Sequence, residues 1–395
     1  MLLSSLKILD FSTLLPGPFA TMLLADLGAD VLRVEAPNRP DLVRLMPPYD
    51  GDISGWHGAL NRNKRSIALD LKRPEAIAIV KQLISPDGGG YDIVLEQFRP
   101  GVMERFGLGY EALRAVNPRL IYCALTGYGQ TGPARDRAGH DLNYLALSGI
   151  LSHSGRAESG PPPFGVQLAD VGGGSFGAVM GLLTAVIHRH HTDEGQFVDI
   201  SMLDMALAWQ THVASHYLVG GETPQPESLP LNGGSFYDCY KTQDGRYLSV
   251  GSLEPKFWQG FCEAIGRPDL IGRGLDQTPA NQQALKREIA VVIRERPLTH
   301  WIALFAPLDL CVEPVLTLPE AVAQPQAVAR GLVVDVPKPG SGTQRQIAHP
   351  LKFSAGEARY EGVGTAVGSH TTEILEDLGY TSEQIVALTD SGALG

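Results

Sequence analysis

The stretch "KILDFSTLLPGPFATMLLADLGADVLRVEAP", residues 7–37, contains the first strand–helix–strand pattern of the chain. Apolar residues in "KILDFS" (7–12) predict a strand, and "PFATMLLADLG" (18–28) predicts a helix that ends at its final glycine. "DVLRVEAP" (30–37) predicts the next strand, which its final proline ends. This order is typical of two parallel strands joined by a crossover helix.

The same alternation of strand and helix patterns continues along the chain. Residues 65–71, "RSIALDL", predict a strand, a helix follows from Pro74, and "YDIVLEQF" (91–98) predicts another strand. A further helix and strand are predicted within "ALRAVNPRLIYCALTGYG" (112–129). Repeated units of this kind indicate a parallel sheet with helices on both faces. We therefore predict an α/β fold with a large Rossmann-like domain.

The length of 395 residues exceeds what one compact core usually holds and indicates more than one domain. The segment "ETPQPESLPLNGG" (222–234) is rich in proline and glycine and predicts a linker. After it, "SFYDCYKTQDGRYLSVGSLE" (235–254) predicts a hairpin with its turn at Asp244-Gly245. The predicted parts are a large domain, the linker, a smaller α/β domain and a C-terminal segment, at residues 1–221, 222–234, 235–330 and 331–395.

The net charge of −11 argues against nucleic acid as a partner, because binding to a phosphate backbone requires a cationic face. The four cysteines form no CxxC pair and fit free thiols in a reducing compartment. The N-terminus "MLLSSLKILDF" (1–11) lacks a cationic leader. The longest apolar run, "FGAVMGLLTAVI" (176–187), is too short to cross a bilayer and predicts a buried helix. We expect a cytoplasmic protein that does not bind membranes.

Motifs that could suggest a cofactor or a metal are better explained otherwise. "GYGQTG" (127–132) matches the pattern of dinucleotide sites, but Pro133 and a charged segment follow it where a helix would be required. The turn "LPGPFAT" (15–21) also lacks the glycines of such a site, so NAD is not predicted. The histidines of "HRHHTDEG" (188–195) do not share one helical face at the i, i+4 spacing of a zinc helix. We predict neither a metal nor a cofactor.

Two short stretches contain residues suited to proton transfer. In "AGHDLNYLALSG" (138–149), His140 follows a glycine and precedes a helix whose N-terminus would favour the neutral imidazole. Asp170 stands before "GGGS" and a long apolar helix, whose N–H groups could bind a carboxylate or a developing oxyanion. From the local sequence alone, His140 could also be a loop or capping residue and Asp170 a plain N-cap.

Seven segments occur in one order along the chain: "LDFSTLLPGPFATMLLADLGADVLRVEAP", "NRNKRSIALDLK", "FRPGVMERFGLGYE", "LIYCALTGYGQTGP", "QLADVGGGSFGAVMGLL", "GQFVDISMLD" and "YDCYKTQDGRYLSVGSLEPKFW". Up to about residue 354, this series resembles the family III CoA-transferase superfamily, and specifically its α-methylacyl-CoA racemase branch. Transferases of the superfamily usually have an aromatic residue at the position of His140, and their glycine-rich loop in the smaller domain has no clear equivalent here. The racemases share "GHD", the aspartate of "ADVGGG" and "EP" after the hairpin. By that resemblance His140, Asp170 and Glu254 are the catalytic residues.

The resemblance implies exchange between the R and S forms of a 2-methyl-branched acyl-CoA through an enolate. This reaction requires one group that removes the α-proton and another that returns a proton to the opposite face. A histidine and a carboxylate suit these roles because their surroundings can bring their proton affinities close together. Glu254 would hold the imidazole in one tautomer. The alternative is a CoA-transferase in which Asp170 attacks the thioester and forms a mixed anhydride.

CoA is anionic and the protein is acidic, so local cations must bind the substrate. The expected substrate- and CoA-binding residues are Arg39, Arg62, Arg65, Arg99 and Tyr144. Of these, Arg99 lies in the family motif "FRPG", and Tyr144 is a neighbour that could orient His140. The resemblance also implies an intertwined homodimer in which His140 and Asp170 of one chain face Glu254 of the other. The C-terminal segment would then return to the large domain.

Overall fold

The computed structural model describes residues 1–394 and divides into two compact units. The larger unit comprises residues 1–145, residues 165–208 and the chain from residue 326 onward. The smaller unit comprises residues 146–164 and 209–325. The predicted fold class, a large Rossmann-like domain with a smaller α/β domain, is confirmed by the strands and helices of the two units.

The unit boundaries differ from the predicted ones around the proline-rich segment. Residues 222–234, predicted as a linker, belong to the smaller unit, together with 146–164 and 209–221, which were expected in the large domain. Asn232 contributes to this difference, because its side-chain amide donates to the carbonyl oxygen of His153. Proline and glycine therefore mark irregular but packed backbone here, and not a domain border.

Six parallel strands form the main sheet of the larger unit. The strands of the chain are β1 (Lys7–Asp10), β2 (Asp30–Glu35), β3 (Tyr49–Asp50), β4 (Ile53–Ser54), β5 (Arg65–Ala68), β6 (Ile93–Glu96), β7 (Ile121–Thr126), β8 (Phe197–Ser201), β9 (Asp238–Lys241), β10 (Tyr247–Val250), β11 (Val312–Pro314), β12 (Val333–Pro337) and β13 (Thr343–Ile347). The main sheet has the order β5-β2-β1-β6-β7-β8, and every neighbouring pair is parallel. This is the order of doubly wound folds, in which ligands bind beyond the carboxyl ends of the strands where the order reverses. Here that point lies between β1 and β6.

Helices connect the strands, and several begin with proline. They are α1 (Pro16–Asp26), α2 (Gly55–Leu60), α3 (Pro74–Ile84), α4 (Val102–Arg105), α5 (Tyr110–Arg114), α6 (Asp141–Leu147), α7 (Phe176–Thr192), α8 (Met202–Ala208), α9 (Thr211–Leu218), α10 (Pro255–Ala264), α11 (Pro279–Ile293), α12 (Leu298–Phe305), α13 (Leu318–Ala323), α14 (Pro325–Ala329), α15 (Thr371–Asp377) and α16 (Ser382–Asp390). Proline suits the first helical position, because its fixed φ matches the helix and no N–H is needed there. A π-helical segment, Leu168–Ser175, runs directly into α7.

Most strands of the main sheet are buried on both faces, whereas the edge strand β8 is partly exposed. Ile8, Leu9, Leu32 and Ile67 are inaccessible to solvent, and Ile79 of α3 packs in the same core. Parallel strands covered by helices on both sides need such near-continuous apolar runs. The alternation seen in residues 7–37 therefore corresponds to the observed core.

Two ion pairs are buried next to this sheet. Lys64 Nζ lies 3.3 Å from Asp10 Oδ2, and both side chains are fully buried. Arg62 Nη2 lies 2.6 Å from Asp26 Oδ2 at the end of α1. Removal of one partner from such a pair leaves an uncompensated buried charge, which is strongly destabilising. These residues therefore hold the segment before β5 against β1 and α1.

The outer edge of the sheet at β5 is covered by residues from the end of the chain. The N–H group of His370 donates to the carbonyl oxygen of Ser66 over 3.0 Å. Beyond β5, Leu69 forms an antiparallel bridge with Leu394. An uncovered edge strand presents unpaired N–H and C=O groups that can pair with other chains. The late segment thus completes the protection of this sheet.

The apolar helix around residues 176–187 is longer than predicted. Together with the π-helical segment it spans Leu168–Thr192, 25 residues that by length and composition alone could cross a membrane. Its most apolar window has a mean hydropathy of 1.5, and 44% of that window is buried inside the protein. The buried side includes Leu182 and Val186, as expected for a helix that packs on a sheet.

The smaller unit has an antiparallel sheet of order β11-β10-β9. The predicted hairpin at Asp244-Gly245 is confirmed, and Gly245 has a φ of 79°, which favours glycine. The core of the smaller unit is aromatic: the rings of Phe236 and Trp258 stack with their centroids 4.1 Å apart.

Candidate active site

Two cavities of the larger unit lie beyond the carboxyl ends of the sheet strands. The first, the cation-lined cavity, has a volume of about 530 Å³ and is bordered by Arg33, Arg39, Lys72 and Arg99 among others. The second, the histidine cavity, has a volume of about 400 Å³ and contains His140. Arg99 borders both cavities, so they adjoin. Their position is the one that the strand order predicts for a ligand.

Arg33 brings a buried positive charge to the cation-lined cavity. Its side chain pairs with Asp41, and its Nη1 lies 3.2 Å from Glu35 Oε1. Its Nε atom has no hydrogen-bond partner within residues 1–394. Because Glu35 and Asp41 pair with Arg33, the cationic part of this cavity is formed by Arg39, Lys72 and Arg99.

The histidine cavity brings together four of the residues expected from the sequence. They are Arg99, His140, Tyr144 and Asp170. They reach it from the loop after β6, from the start of α6 and from the π-helical segment. A titratable pair and a cation in one cleft are the features expected of an active site.

The backbone of His140 caps α6, while its ring is left for other contacts. The N–H group of His140 donates to Asn143 Oδ1 over 3.0 Å, and its carbonyl oxygen accepts from the Asn143 N–H over 2.8 Å. The imidazole is exposed and makes no hydrogen bond to the chain within residues 1–394. The capping role therefore accounts for the backbone of this residue but not for its imidazole.

The glycine before His140 permits a close contact with two tyrosines. A Cβ atom at Gly139 would lie 2.6 Å from Tyr128 Oη and 2.7 Å from Tyr144 Cε1, which is too close. The buried Tyr144 also donates its hydroxyl to the Gly139 carbonyl oxygen over 2.5 Å. The close approach expected at this glycine thus fixes the loop that carries His140.

Asp170 is the third residue of the π-helical segment and not the N-cap of α7. The N-terminal flanking residue of the segment is Gln167. The wide helix brings its backbone close to α1 and α8, since a Cβ atom at Gly174 would lie 3.1 Å from Pro16 Cβ and from Met202 Cγ. These two contacts favour a small residue at Gly174 in "GGGS".

The surroundings of Asp170 favour its protonated form. Burial, and after it the negative charge of Asp141, raise the pKa of Asp170 to about 7. A carboxyl group with this pKa is present in both forms at neutral pH and can give or take a proton. Asp141 itself accepts hydrogen bonds on Oδ1 from the N–H groups of Ala169, at 2.6 Å, and Asp170, at 3.1 Å.

Glu254 lies in the smaller unit and is exposed. It is the N-cap of α10, before Pro255, and its side chain forms no capping hydrogen bond. Its negative charge contributes to a raised pKa of the Cys311 thiol, after the larger effect of burial. Cys311 borders a cavity of about 520 Å³ formed by residues of the smaller unit. The residues that line the histidine cavity all belong to the larger unit, and Glu254 belongs to the smaller one.

The predictions for Arg62 and Arg65 as CoA-binding residues are corrected by the structure. Arg62 is buried and binds both carboxylate oxygens of Asp26. Arg65 is the first residue of β5 and pairs with Asp30 at 2.9 Å. It lies at the amino end of a parallel strand, whereas both cavities lie beyond the carboxyl ends. Of the four predicted arginines, Arg39 borders the cation-lined cavity and Arg99 borders both cavities, whereas Arg62 and Arg65 border neither of the two.

Other basic residues of the two cavities were not predicted. Arg33 and Lys72 border the cation-lined cavity, and Arg135 and Arg137 border the histidine cavity. The sequence did contain a signal for Arg33, which is a charged residue within the otherwise apolar strand "VLRVE" (31–35). Lys72 follows a strand pattern directly, where ligand-binding residues of α/β folds concentrate.

Comparison with known proteins finds relatives that match nearly the whole chain. The chain is 35% identical to human alpha-methylacyl-CoA racemase, over 98% of this chain and 96% of that protein. It is 33% identical to human succinyl-CoA:glutarate CoA-transferase, over 99% of this chain and 90% of that protein. The crystal structure of a CAIB/BAIF family protein from Brucella suis has a TM-score of 0.81 with 28% identity, covering 95% of this chain and 98% of that one. Residues 3–371 match CoA-transferase family III, and the chain belongs to this family of enzymes that act on acyl-CoA.

Proposed function

We propose that the protein is an α-methylacyl-CoA racemase, an isomerase that interconverts the R and S forms of 2-methyl-branched acyl-CoA thioesters. The observation that carries this proposal is the presence of His140 and Asp170 in one cavity, together with the pKa of about 7 at Asp170. Family membership supports acyl-CoA as the substrate, and the human racemase supports the finer activity.

In the proposed mechanism, the two groups act on opposite faces of the α-carbon. In one direction unprotonated Asp170 takes the α-proton, an enolate forms, and protonated His140 returns a proton to the other face. In the reverse direction, neutral His140 is the base and protonated Asp170 is the acid. The raised pKa of Asp170 supports this exchange of roles, since neither form is rare at neutral pH. The chemistry needs no metal or redox cofactor, and we propose none.

The anionic part of CoA is proposed to bind at the cation-lined cavity. Arg39, Lys72 and Arg99 supply positive charge there, although the net charge of the chain is −11. Guanidinium groups match phosphate oxygens in geometry and charge. Arg99 borders both cavities. Acyl-CoA whose phosphates bind in the cation-lined cavity would therefore place its thioester in the adjoining histidine cavity, which contains His140.

A second candidate function is CoA transfer with Asp170 as nucleophile. The observation in its favour is the similarity to transferases, of which the human succinyl-CoA:glutarate enzyme is nearly as similar as the human racemase. In that reaction the carboxylate attacks the thioester, CoA leaves, and a mixed anhydride forms. His140 has no necessary role in this chemistry, so the two candidates differ in their dependence on it.

We also propose that the protein is an intertwined homodimer, with Glu254 of one chain near His140 of the other. We propose that it lies in the cytoplasm and binds neither membranes nor nucleic acid. Exposed apolar side chains support an assembly: Met180 and Ile187 of α7 and Leu218 of α9 are largely uncovered. Large exposed apolar surfaces usually mark protein contacts. The N-terminal position of Glu254 on α10 leaves its carboxylate available to hold an imidazole.

The proposal is tested with one pure enantiomer of a 2-methyl-branched acyl-CoA in deuterated water. We expect the opposite enantiomer to form and deuterium to appear at the α-carbon, with no free acid added. A parallel reaction contains an acyl-CoA and an isotope-labelled free acid. Transfer of CoA to the labelled acid, without inversion of the first substrate, would establish the transferase instead.

Replacement of Arg99 by alanine should raise KM for acyl-CoA roughly tenfold or more, while kcat changes less. The reason is that contacts to phosphate hold the ground state and the transition state equally. Steady-state kinetics of the two variants R99A and R65A provide the measurement and its control, because Arg65 pairs with Asp30 at the opposite end of the sheet. An unchanged KM in R99A would remove Arg99 from the binding site.

A further inference from the structure

Asp141 connects the two residues proposed for proton transfer. It follows His140 directly in the chain and is the first residue of α6. Its Oδ1 atom accepts the N–H groups of both Ala169 and Asp170, at 2.6 Å and 3.1 Å. One side chain therefore joins the backbone at His140 to the backbone at Asp170, although these two residues lie thirty positions apart in the sequence.

We propose that Asp141 is a positioning residue for the racemisation, which ties Asp170 to the His140 loop and sets the charge beside the Asp170 carboxyl group. This inference rests on the proposed function, because it assigns a task to Asp141 only if both neighbours transfer protons. Asp141 need not touch the substrate for this task. Asp141 acts through its hydrogen bond from the backbone N–H of Asp170 and through its own negative charge.

The geometric part of the proposal follows from burial. Ala169 is fully buried, so its N–H group requires an acceptor inside the protein. Asp141 supplies this acceptor and at the same time takes the next N–H, that of Asp170. Hydrogen bonds from N–H groups to a carboxylate are short and strong. Without them, the first turn of the π-helical segment would lose its attachment to α6.

Several charged or titratable groups lie near Asp170. The π-helical segment packs against α1, α7, α8 and β8. Within these elements and the cavity lining, the titratable or charged groups are Asp26, which is paired with Arg62, His188, Arg189, which is paired with Asp92, His190, His191, Asp199, Asp204, Arg99, Tyr128, Arg135, Arg137, His140 and Tyr144. After burial, the charge of Asp141 is the cause that raises the pKa of Asp170. Removal of this charge should therefore lower that pKa.

Two substitutions separate the two parts. Asp141→Asn keeps an oxygen that can accept both N–H groups but removes the charge, whereas Asp141→Ala removes both. We expect D141N to retain kcat within about threefold and to move the acidic limb of its kcat/KM profile to lower pH. We expect D141A to lose roughly tenfold to hundredfold in kcat, because a small misplacement of a catalytic group is costly. Asp136→Asn, an exposed charge in the preceding loop, is the matched control.

A second measurement does not depend on turnover. The carboxyl carbon of Asp170 is titrated by NMR with 13C-labelled aspartate, and its signal is identified by its absence in D170N. The proposal is supported if D141N lowers the titration midpoint of this signal and D136N does not.

The outcomes distinguish this inference from the proposed function. An unchanged Asp170 midpoint in D141N, or wild-type kcat in D141A, would overturn the role of Asp141 even in an active racemase. A lowered midpoint in a protein that inverts no acyl-CoA would instead remove the proposed function and leave only the electrostatic coupling.

Discussion

Asparagine in place of Asp170 should reduce racemisation by at least two orders of magnitude. The substitution keeps the size and the hydrogen-bonding capacity of the side chain but removes its ability to accept a proton at the α-carbon. General acid–base groups usually contribute about 10²- to 10⁴-fold to a rate, and this reaction needs the group in both directions. The measurement is the rate of inversion of each pure enantiomer by chiral chromatography. Inversion at close to the wild-type rate would exclude Asp170 as a catalytic residue.

The stability of the same variant controls for loss of the fold. The pKa of Asp170 is raised from 3.8 to about 7 in the folded protein, so the folded state binds this proton more tightly than the unfolded state does. The wild type therefore loses stability as pH rises from about 4 to about 7, and D170N lacks this loss. We expect the free energy of unfolding of D170N, relative to wild type, to increase across that range and to remain level above it. An inactive variant with this profile is folded and has lost chemistry alone.

The second large effect is expected for His140→Ala, which should reduce the rate of net inversion by about a hundredfold or more. The exposed imidazole makes no hydrogen bond to the chain within residues 1–394, so its loss should leave the fold unchanged. Asp170 remains in this variant and can remove the α-proton on its own face. In deuterated water, H140A should therefore exchange the α-proton of one enantiomer without inverting it.

The two variants should give complementary exchange patterns. If H140A exchanges one enantiomer, D170N should exchange only the other, since the surviving base lies on the opposite face. Mass spectrometry of the re-isolated substrates measures this directly. Exchange of the same enantiomer by both variants would contradict the two-face arrangement. Exchange and inversion by H140A at wild-type rate, with CoA transfer that depends on Asp170, would favour the transferase.

The sequence predicted the sheet well because its signals are local. The apolar runs from Lys7 to Glu35 correspond to strands and a helix whose side chains are buried on both faces. It also located His140 and Asp170, through a resemblance, in two segments that the fold brings to one cavity. It misassigned Arg62 and Arg65, which precede and begin the predicted strand 65–71 and so belong to its amino end, whereas ligands bind beyond the carboxyl ends of parallel strands.

The helix around Asp170 was misjudged for a different reason. "GGGS" before an apolar run is typical of a helix start, so an N-cap was the alternative that the local sequence offered. In the π-helical segment, Gly174 lies close to Pro16 and Met202, which are distant in the sequence, so no local pattern indicates this packing. This segment extends the apolar helix beyond its predicted beginning.

The bridge between Leu69 and Leu394 has a consequence for biosynthesis. The two residues are separated by 325 positions (394 minus 69), and ribosomes add roughly 5 to 20 residues per second. The partner of this edge therefore emerges roughly 15 to 65 seconds after the edge itself. During that interval the nascent sheet presents open backbone to other nascent chains, which favours aggregation. Translation speed and chaperone supply should thus govern the yield of native enzyme in an expression host.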